Sequence, residues 1–192
     1  PERIKTEYGI SHVDVIIGGP PCQGFSVAGK RIVEDKRNQL YKSFVNFVLC
    51  FEPKAFVMEN VPNILSIGGG MVRNAIIKDF EHLGYNVSVQ VLTASDYGVP
   101  QNRRRAFFVG IKGNEAFEYP LPLSTAKVST LDAIGDLSET SMPEGAPYTN
   151  GVMSEFQCYA RKESKGVFNH ETTNHSDKTK EIIAMVPDGG NY

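Results

Sequence analysis

Val13, Val15, Ile16 and Ile17 form a short apolar run that ends on Gly18-Gly19-Pro20-Pro21-Cys22. A run of this length without regular polar alternation is the pattern of a parallel strand buried on both faces. Leu40, Tyr41, Phe44, Val45, Val48 and Phe51 then repeat at helical spacing, and Pro53 stops them. Ala55 to Met58 reads as a second buried strand with Glu59 at its carboxyl end. After the Gly68-Gly69-Gly70 turn, Val72, Ala75, Ile76, Phe80 and Leu83 give another helix, with Gly84 as its C-cap. Val87, Val89 and Val91 alternate with polar residues as a strand near a sheet edge, and Ala106 to Ile111 is a further strand. Strand and helix in alternation imply an α/β fold with a parallel sheet and right-handed crossovers. The link from Val91 to Ala106 has room for no helix, which makes the last two strands antiparallel neighbours.

Beyond Ile111 the pattern weakens. Pro120, Pro122 and Ser124-Thr125 mark a connection, and Leu131 to Leu137 reads as one short helix. From Ser138 onward the chain is rich in Ser, Thr, Asn, Gly and Pro, with no clear element before Thr179 to Val186. The division expected is 1–137 and 138–192. Pro1 in place of methionine marks the chain as a fragment or a processed piece.

Composition narrows the class. Of the 192 residues 41% are hydrophobic and 22% charged, as in ordinary globular domains. No stretch has the length of a membrane span and no signal-peptide pattern opens the chain. Cys22, Cys50 and Cys158 are widely spaced, which suggests free thiols in a reducing compartment and no metal site. His170 and His175 lack a third ligand. A net charge of −2 does not advertise a nucleic-acid binder, yet the basic residues cluster. Lys30, Arg31, Lys36 and Arg37 follow Cys22, and Arg103, Arg104 and Arg105 are consecutive, so a cleft can be basic while the whole is acidic.

In open α/β sheets ligands bind at the carboxyl ends of the strands, which is where Cys22 falls. Two prolines stiffen the backbone before the sulfur and two glycines permit close approach, so Cys22 reads as a nucleophile. No histidine is placed to serve as its base, which disfavours a thiol protease. Glu59 ends the next strand, so its carboxyl group and the thiol should converge at one rim. Arg103 and Arg105 project to one face of an extended segment, with Arg104 opposite.

Gly-Pro-Pro-Cys-Gln-Gly-Phe-Ser (Gly19 to Ser26) resembles the catalytic loop of cytosine-5 DNA methyltransferases. Three further segments follow in that family's order: Glu59-Asn60-Val61, Asp96-Tyr97-Gly98-Val99-Pro100-Gln101, and Gln101-x-Arg103-x-Arg105. The fold implied is part of a Rossmann-like S-adenosylmethionine-dependent methyltransferase sheet, mostly parallel with an antiparallel final hairpin. A catalytic domain (1–137, incomplete at its N-terminus) would precede the start of a target-recognition region (138–192).

The resemblance implies transfer of a methyl group from S-adenosylmethionine to carbon-5 of a flipped-out cytosine in double-stranded DNA, through a covalent Cys22 adduct. Such chemistry needs the base out of its stack. Glu59 would contact the ring, while Arg103 and Arg105 would hold its oxygen-2 and neighbouring phosphates. Arg37 matches the Asp-x-Arg pattern after the catalytic loop. Gln23, Ser26, Asn60 and Gln101 join Arg37 among the implied nucleic-acid contacts, and Gln23 to Arg37 would close over the DNA. Pro21 and Leu40 match positions that touch the cofactor. The family's Phe-x-Gly-x-Gly loop and the acidic residues of the next two strands do not occur here.

A monomeric, cytoplasmic enzyme of a prokaryotic restriction-modification setting is expected. The same residues serve a branch that methylates transfer RNA, and a non-catalytic nucleic-acid-binding relic of the fold is the other alternative. Amino-methylating DNA enzymes are disfavoured, because Gly19 precedes the prolines and Cys22 follows them.

Overall fold

A computed structural model describes residues 1–21, 40–187 and 190. The chain divides into two compact units, Pro1–Lys127 and Val128–Tyr192. In the first, helix α1 (Glu2–Tyr8) precedes strand β1 (Val15–Gly18), helix α2 (Leu40–Phe51) and strand β2 (Ala55–Asn60). Two 3-10 turns lead into helix α3 (Met71–Glu81), followed by strands β3 (Tyr85–Thr93) and β4 (Arg104–Lys112).

The sheet order is β1-β2-β4-β3. β1 and β2 are parallel, while β4 runs antiparallel to both β2 and β3, so β1, β2 and β3 share one direction. The mostly parallel sheet with an antiparallel final pair is therefore present, with β4 wedged between β2 and β3.

One face of the sheet carries the core. Phe44 of α2, Phe56 of β2, Phe80 of α3 and Tyr85 of β3 meet as an aromatic cluster, with Phe56 and Phe80 stacked 4.0 Å apart. Val45, Val48, Met58, Ile76 and Phe108 fill the spaces between them. Phe56 lies opposite Gly110 on β4, and a Cβ there would sit 2.0 Å from its ring. α3 ends with His82, in the right-handed region, as its C-cap. Gly84, the residue expected there, stands two residues further on in the left-handed region (φ 85°), where its N–H donates to the Glu81 carbonyl and turns the chain into β3.

Three expectations need correction. β1 is not buried on both faces: Val15 is 50% and Ile17 76% exposed. It is an edge strand, and only Ile16 packs against the core under α2. Cys50, which at the end of an amphipathic helical pattern reads as a small core residue, is only half-buried; its Sγ lies 3.1 Å from Glu2 Oε1, and its carbonyl accepts from Lys5 Nζ, pinning α1 to the end of α2. The stretch after Ser138 also holds a further helix, described next.

The second unit contains α4 (Thr130–Ile134), α5 (Glu155–Arg161) and α6 (Asp177–Ala184). The break falls ten residues before the expected one, so α4 belongs with α5. Ser129 and Asp132 form a reciprocal capping box on α4, which holds the Asp132 carboxyl below its usual range. Among the described residues, this unit is held largely by polar contacts. Fully buried Gln157 donates to the Leu131 carbonyl (3.1 Å) and accepts from the Met153 N–H (2.7 Å). Buried Asp136 pairs with Arg161, whose guanidinium stacks 3.7 Å over the Tyr148 ring. No helix among the described residues is long and apolar enough to cross a membrane.

Two stability outcomes follow from this packing. Gly110→Ala should cost about 1–3 kcal/mol, because the Phe56 ring must leave its stack on Phe80. Gln157→Leu should cost a similar amount, about 1–3 kcal/mol, by leaving the Met153 N–H without its partner and removing one of the two hydrogen bonds to the Leu131 carbonyl, whose other donor is the Gly135 N–H. Equilibrium urea unfolding of each variant against wild type measures both, and an unchanged midpoint would contradict the contact concerned.

Candidate active site

Parallel pairing puts Gly18 beside Met58, so the chain leaves β1 next to the end of β2. Each of the next residues meets a different constraint. A Cβ on Gly18 would lie 2.8 Å from the Phe44 ring, so the end of β1 is pressed directly on the core. A Cβ on Gly19 would lie 3.4 Å from Glu59 Oε2, which places the loop backbone over that carboxylate. The Pro20 carbonyl accepts a hydrogen bond from Asn60 Nδ2 at 3.0 Å.

β4 delivers the arginines. Ala106 pairs with Asn60 and Phe107 with Glu59, so the residues just before them stand at the same rim. Arg105 Nε contacts Glu59 Oε1 at 2.8 Å, and Arg103 Nη2 approaches the same oxygen at 3.7 Å. Arg105 Nη1 also donates to the Arg104 carbonyl, which fixes the guanidinium plane. Glu59 Oε2 takes no hydrogen bond among the described residues. One carboxylate oxygen is thus occupied by cations, and the other faces the loop that leads to Cys22.

The segment between β3 and β4 is closed by its own backbone bonds. Ala94 N–H donates to the Arg103 carbonyl at 2.8 Å, and Gln101 N–H to Val99 at 2.7 Å. Residues after β4 run back along this part of the unit. The Tyr119 hydroxyl lies 3.0 Å from the Ser88 carbonyl and 2.8 Å from that of Phe107, bridging β3 and β4. Burial pushes this hydroxyl up to about 12, so it remains a donor. Tyr97 Oη donates to the Pro120 carbonyl, Leu123 N–H to that of Asp96, and Lys127 Nζ pairs with Asp96 at 2.8 Å. Together these contacts anchor the 94–103 segment that presents Arg103.

Glu59, Arg103 and Arg105 are therefore together, and Arg104 makes no ion pair with Glu59. Gln101 is exposed at the same turn. Asn60 is 5% exposed, with both polar groups engaged inside the protein: Nδ2 on Pro20 and Oδ1 on the Val61 N–H (2.9 Å). Cys22, Gln23, Ser26 and Arg37, and with them the loop expected to close over DNA, lie outside the described residues. Sequence reading missed Gly19 as the residue facing Glu59, and Tyr119 as the brace of β3 and β4. For Asn60 a signal existed: it alternates with Phe56 and Met58, hence shares their buried face.

Pro21, exposed, and Leu40, half-buried at the start of α2, are the residues expected against a methyl donor. Neither buried unpartnered polar atom among the described residues, Ser95 Oγ or Arg161 Nε, belongs to β1 or the turn that follows it. What these residues offer fits the apolar part of such a donor. Among the described residues no group of His, Cys, Asp and Glu side chains could hold a metal ion.

The solved structure of a protein described as a prophage-encoded DNA modification methyltransferase (E. coli) superposes with a TM-score of 0.63. It is 27% identical and covers 96% of this chain and 59% of its own. Among curated relatives, Type II methyltransferase M.DdeI of Desulfomicrobium norvegicum is 40% identical over 94% of this chain and 46% of its own length. Type II methyltransferase M1.HphI of Haemophilus parahaemolyticus is also 40% identical, over 93% of this chain and 44% of its own. The chain thus spans a little under half the length of these two relatives. With the family model for C-5 cytosine-specific DNA methylase matching residues 2–191, the chain belongs to that family.

Proposed function

We propose that the protein containing this chain methylates carbon-5 of cytosine in double-stranded DNA, with Cys22 as nucleophile and Glu59, Arg103 and Arg105 completing the catalytic set. The observation that carries this reading is the Glu59 carboxylate, held on one oxygen by Arg105 at 2.8 Å while its other oxygen faces the Gly19 backbone. The Type II names of the relatives support a restriction-modification setting. The protein acts as a cytoplasmic monomer, and the second unit, Val128–Tyr192, opens the region that reads the target sequence.

Carbon-5 of cytosine is a weak nucleophile. Addition of the Cys22 thiolate to carbon-6 forms a sulfur–carbon bond and drives the ring's electron pair toward nitrogen-3. Glu59 supplies a proton or hydrogen bond there, so the ring becomes an enamine with a nucleophilic carbon-5. Arg105 and Arg103 orient Glu59 and engage oxygen-2 and adjacent phosphates. Pro21 and Leu40 would hold S-adenosylmethionine, which when bound would supply the electrophilic methyl group to carbon-5 and leave as the neutral thioether. Carbon-5 then loses its proton to water, the double bond re-forms as the sulfur–carbon bond breaks to return the thiolate, and nitrogen-3 gives its proton or hydrogen bond back to Glu59. Base flipping brings the ring to this rim, with Gln23, Ser26, Arg37 and Gln101 contacting the DNA.

Two substitutions in the full-length protein test the assignment through transfer of labelled methyl groups into unmethylated duplex DNA. Cys22→Ser should abolish transfer yet retain DNA binding by gel shift; full activity would remove Cys22 from the mechanism. Glu59→Gln should slow transfer by about a hundredfold or more with the folded signal intact. A rate within a few-fold of wild type would contradict its role.

A further inference from the structure

We propose that Asn60 is a positioning residue for this reaction: its carboxamide ties the loop that carries the nucleophile to the strand that carries the acid. The inference rests on the reading of Cys22 and Glu59 given above and adds a residue that touches neither substrate nor cofactor.

Asn60 is the last residue of β2, directly after Glu59. Its side chain turns to the opposite face from that of Glu59 and is buried beneath the loop. There it spans two backbones. Oδ1 accepts from the Val61 N–H at 2.9 Å, which fixes the carboxamide plane, and Nδ2 donates to the Pro20 carbonyl at 3.0 Å. Among the described residues this is the one hydrogen bond from a side chain to the Gly19–Pro21 backbone. The other restraints there, the Phe44 ring at Gly18 and Glu59 Oε2 at Gly19, leave little room for a side chain and set no direction for the backbone.

A bond at the Pro20 carbonyl is well placed to act at a distance. Proline fixes φ near −65°, and a residue preceding proline is confined to extended conformations. Gly19 and Pro20 both precede prolines, so the backbone from Gly19 to Pro21 has few free torsions. Fixing the Pro20 carbonyl therefore constrains the path to Cys22, one residue beyond Pro21. Since Asn60 and Glu59 are adjacent, the same bond ties that path to the acid. Productive attack on a ring carbon requires such alignment, and displacement of about 1 Å can cost about a hundredfold in rate.

Asn60→Ala removes both bonds, whereas Asn60→Asp keeps the acceptor for Val61 and loses the donor to Pro20. In the full-length protein, kcat and the KM for unmethylated duplex DNA are read separately, beside the circular-dichroism signal at the assay temperature. Both variants should lower kcat by about tenfold or more with the KM for DNA within about threefold and the folded signal retained. Wild-type kcat in Asn60→Asp would overturn the proposal by showing that the Val61 bond suffices. A rise in KM at unchanged kcat would overturn it in favour of a direct DNA contact. Loss of the folded signal in both variants would overturn it in favour of a purely structural role. Cys22→Ser separates the two readings. If that variant is inactive and the Asn60 variants are normal, the positioning role alone fails; if it is active, the reading of the site fails and takes the positioning role with it.

Discussion

The register between β2 and β4 is the constraint on which the rest of the site depends. Because the strands run antiparallel with Glu59 opposite Phe107 and Asn60 opposite Ala106, the amino end of β4 meets the carboxyl end of β2. That is why Arg103 and Arg105, close to Glu59 in space, stand more than forty residues from it along the chain. A slip of one residue would turn every β4 side chain to the other face. Phe108 would leave the core and Arg105 would point away from the acid. The register is guarded by burial: Ala106, Phe108 and Gly110 face the helices, and Gly110 leaves room for the Phe56 ring.

Core and site are therefore one continuous packing problem. Phe44 touches Phe56 and Phe80 on one side and presses on Gly18 on the other. Gly18 ends β1, Gly19 covers the Glu59 carboxylate, and Pro20 is held by Asn60. Close-packed interiors transmit strain, so a change of volume under α2 reaches the loop before Cys22 through few intermediaries. A side chain at Gly18 or Gly19 would collide with the core or crowd the acid. That gives the two glycines separate reasons for being where they are.

The second unit is organised on another principle. Among its described residues few large side chains are buried, and Gln157 and the Asp136–Arg161 pair lie where aliphatic groups would be expected. A satisfied buried polar group specifies geometry, and an unsatisfied one is costly. The unit's order therefore depends on partners such as Leu131, Met153 and Asn150 holding their backbones in place.

What could be read from the sequence follows from periodicity. α2, β2, α3, β3 and β4 announced themselves because each is long enough to repeat an apolar pattern, and the missing crossover between Val91 and Ala106 revealed the antiparallel pair. α1 and α5, with seven residues each, are too short for such a pattern and are held by capping and side-chain bonds to distant backbone. The chemical types that the structure brings together at the rim, an acid and two guanidinium groups, were likewise determined by sequence alone. Tertiary structure decided what depends on neighbours absent from the local pattern. β1 became an exposed edge, Cys50 became a tether for α1, and Asn60 turned inward to the loop. Periodicity reports which face a residue occupies, whereas the partner it meets there is set by how separate strands pair.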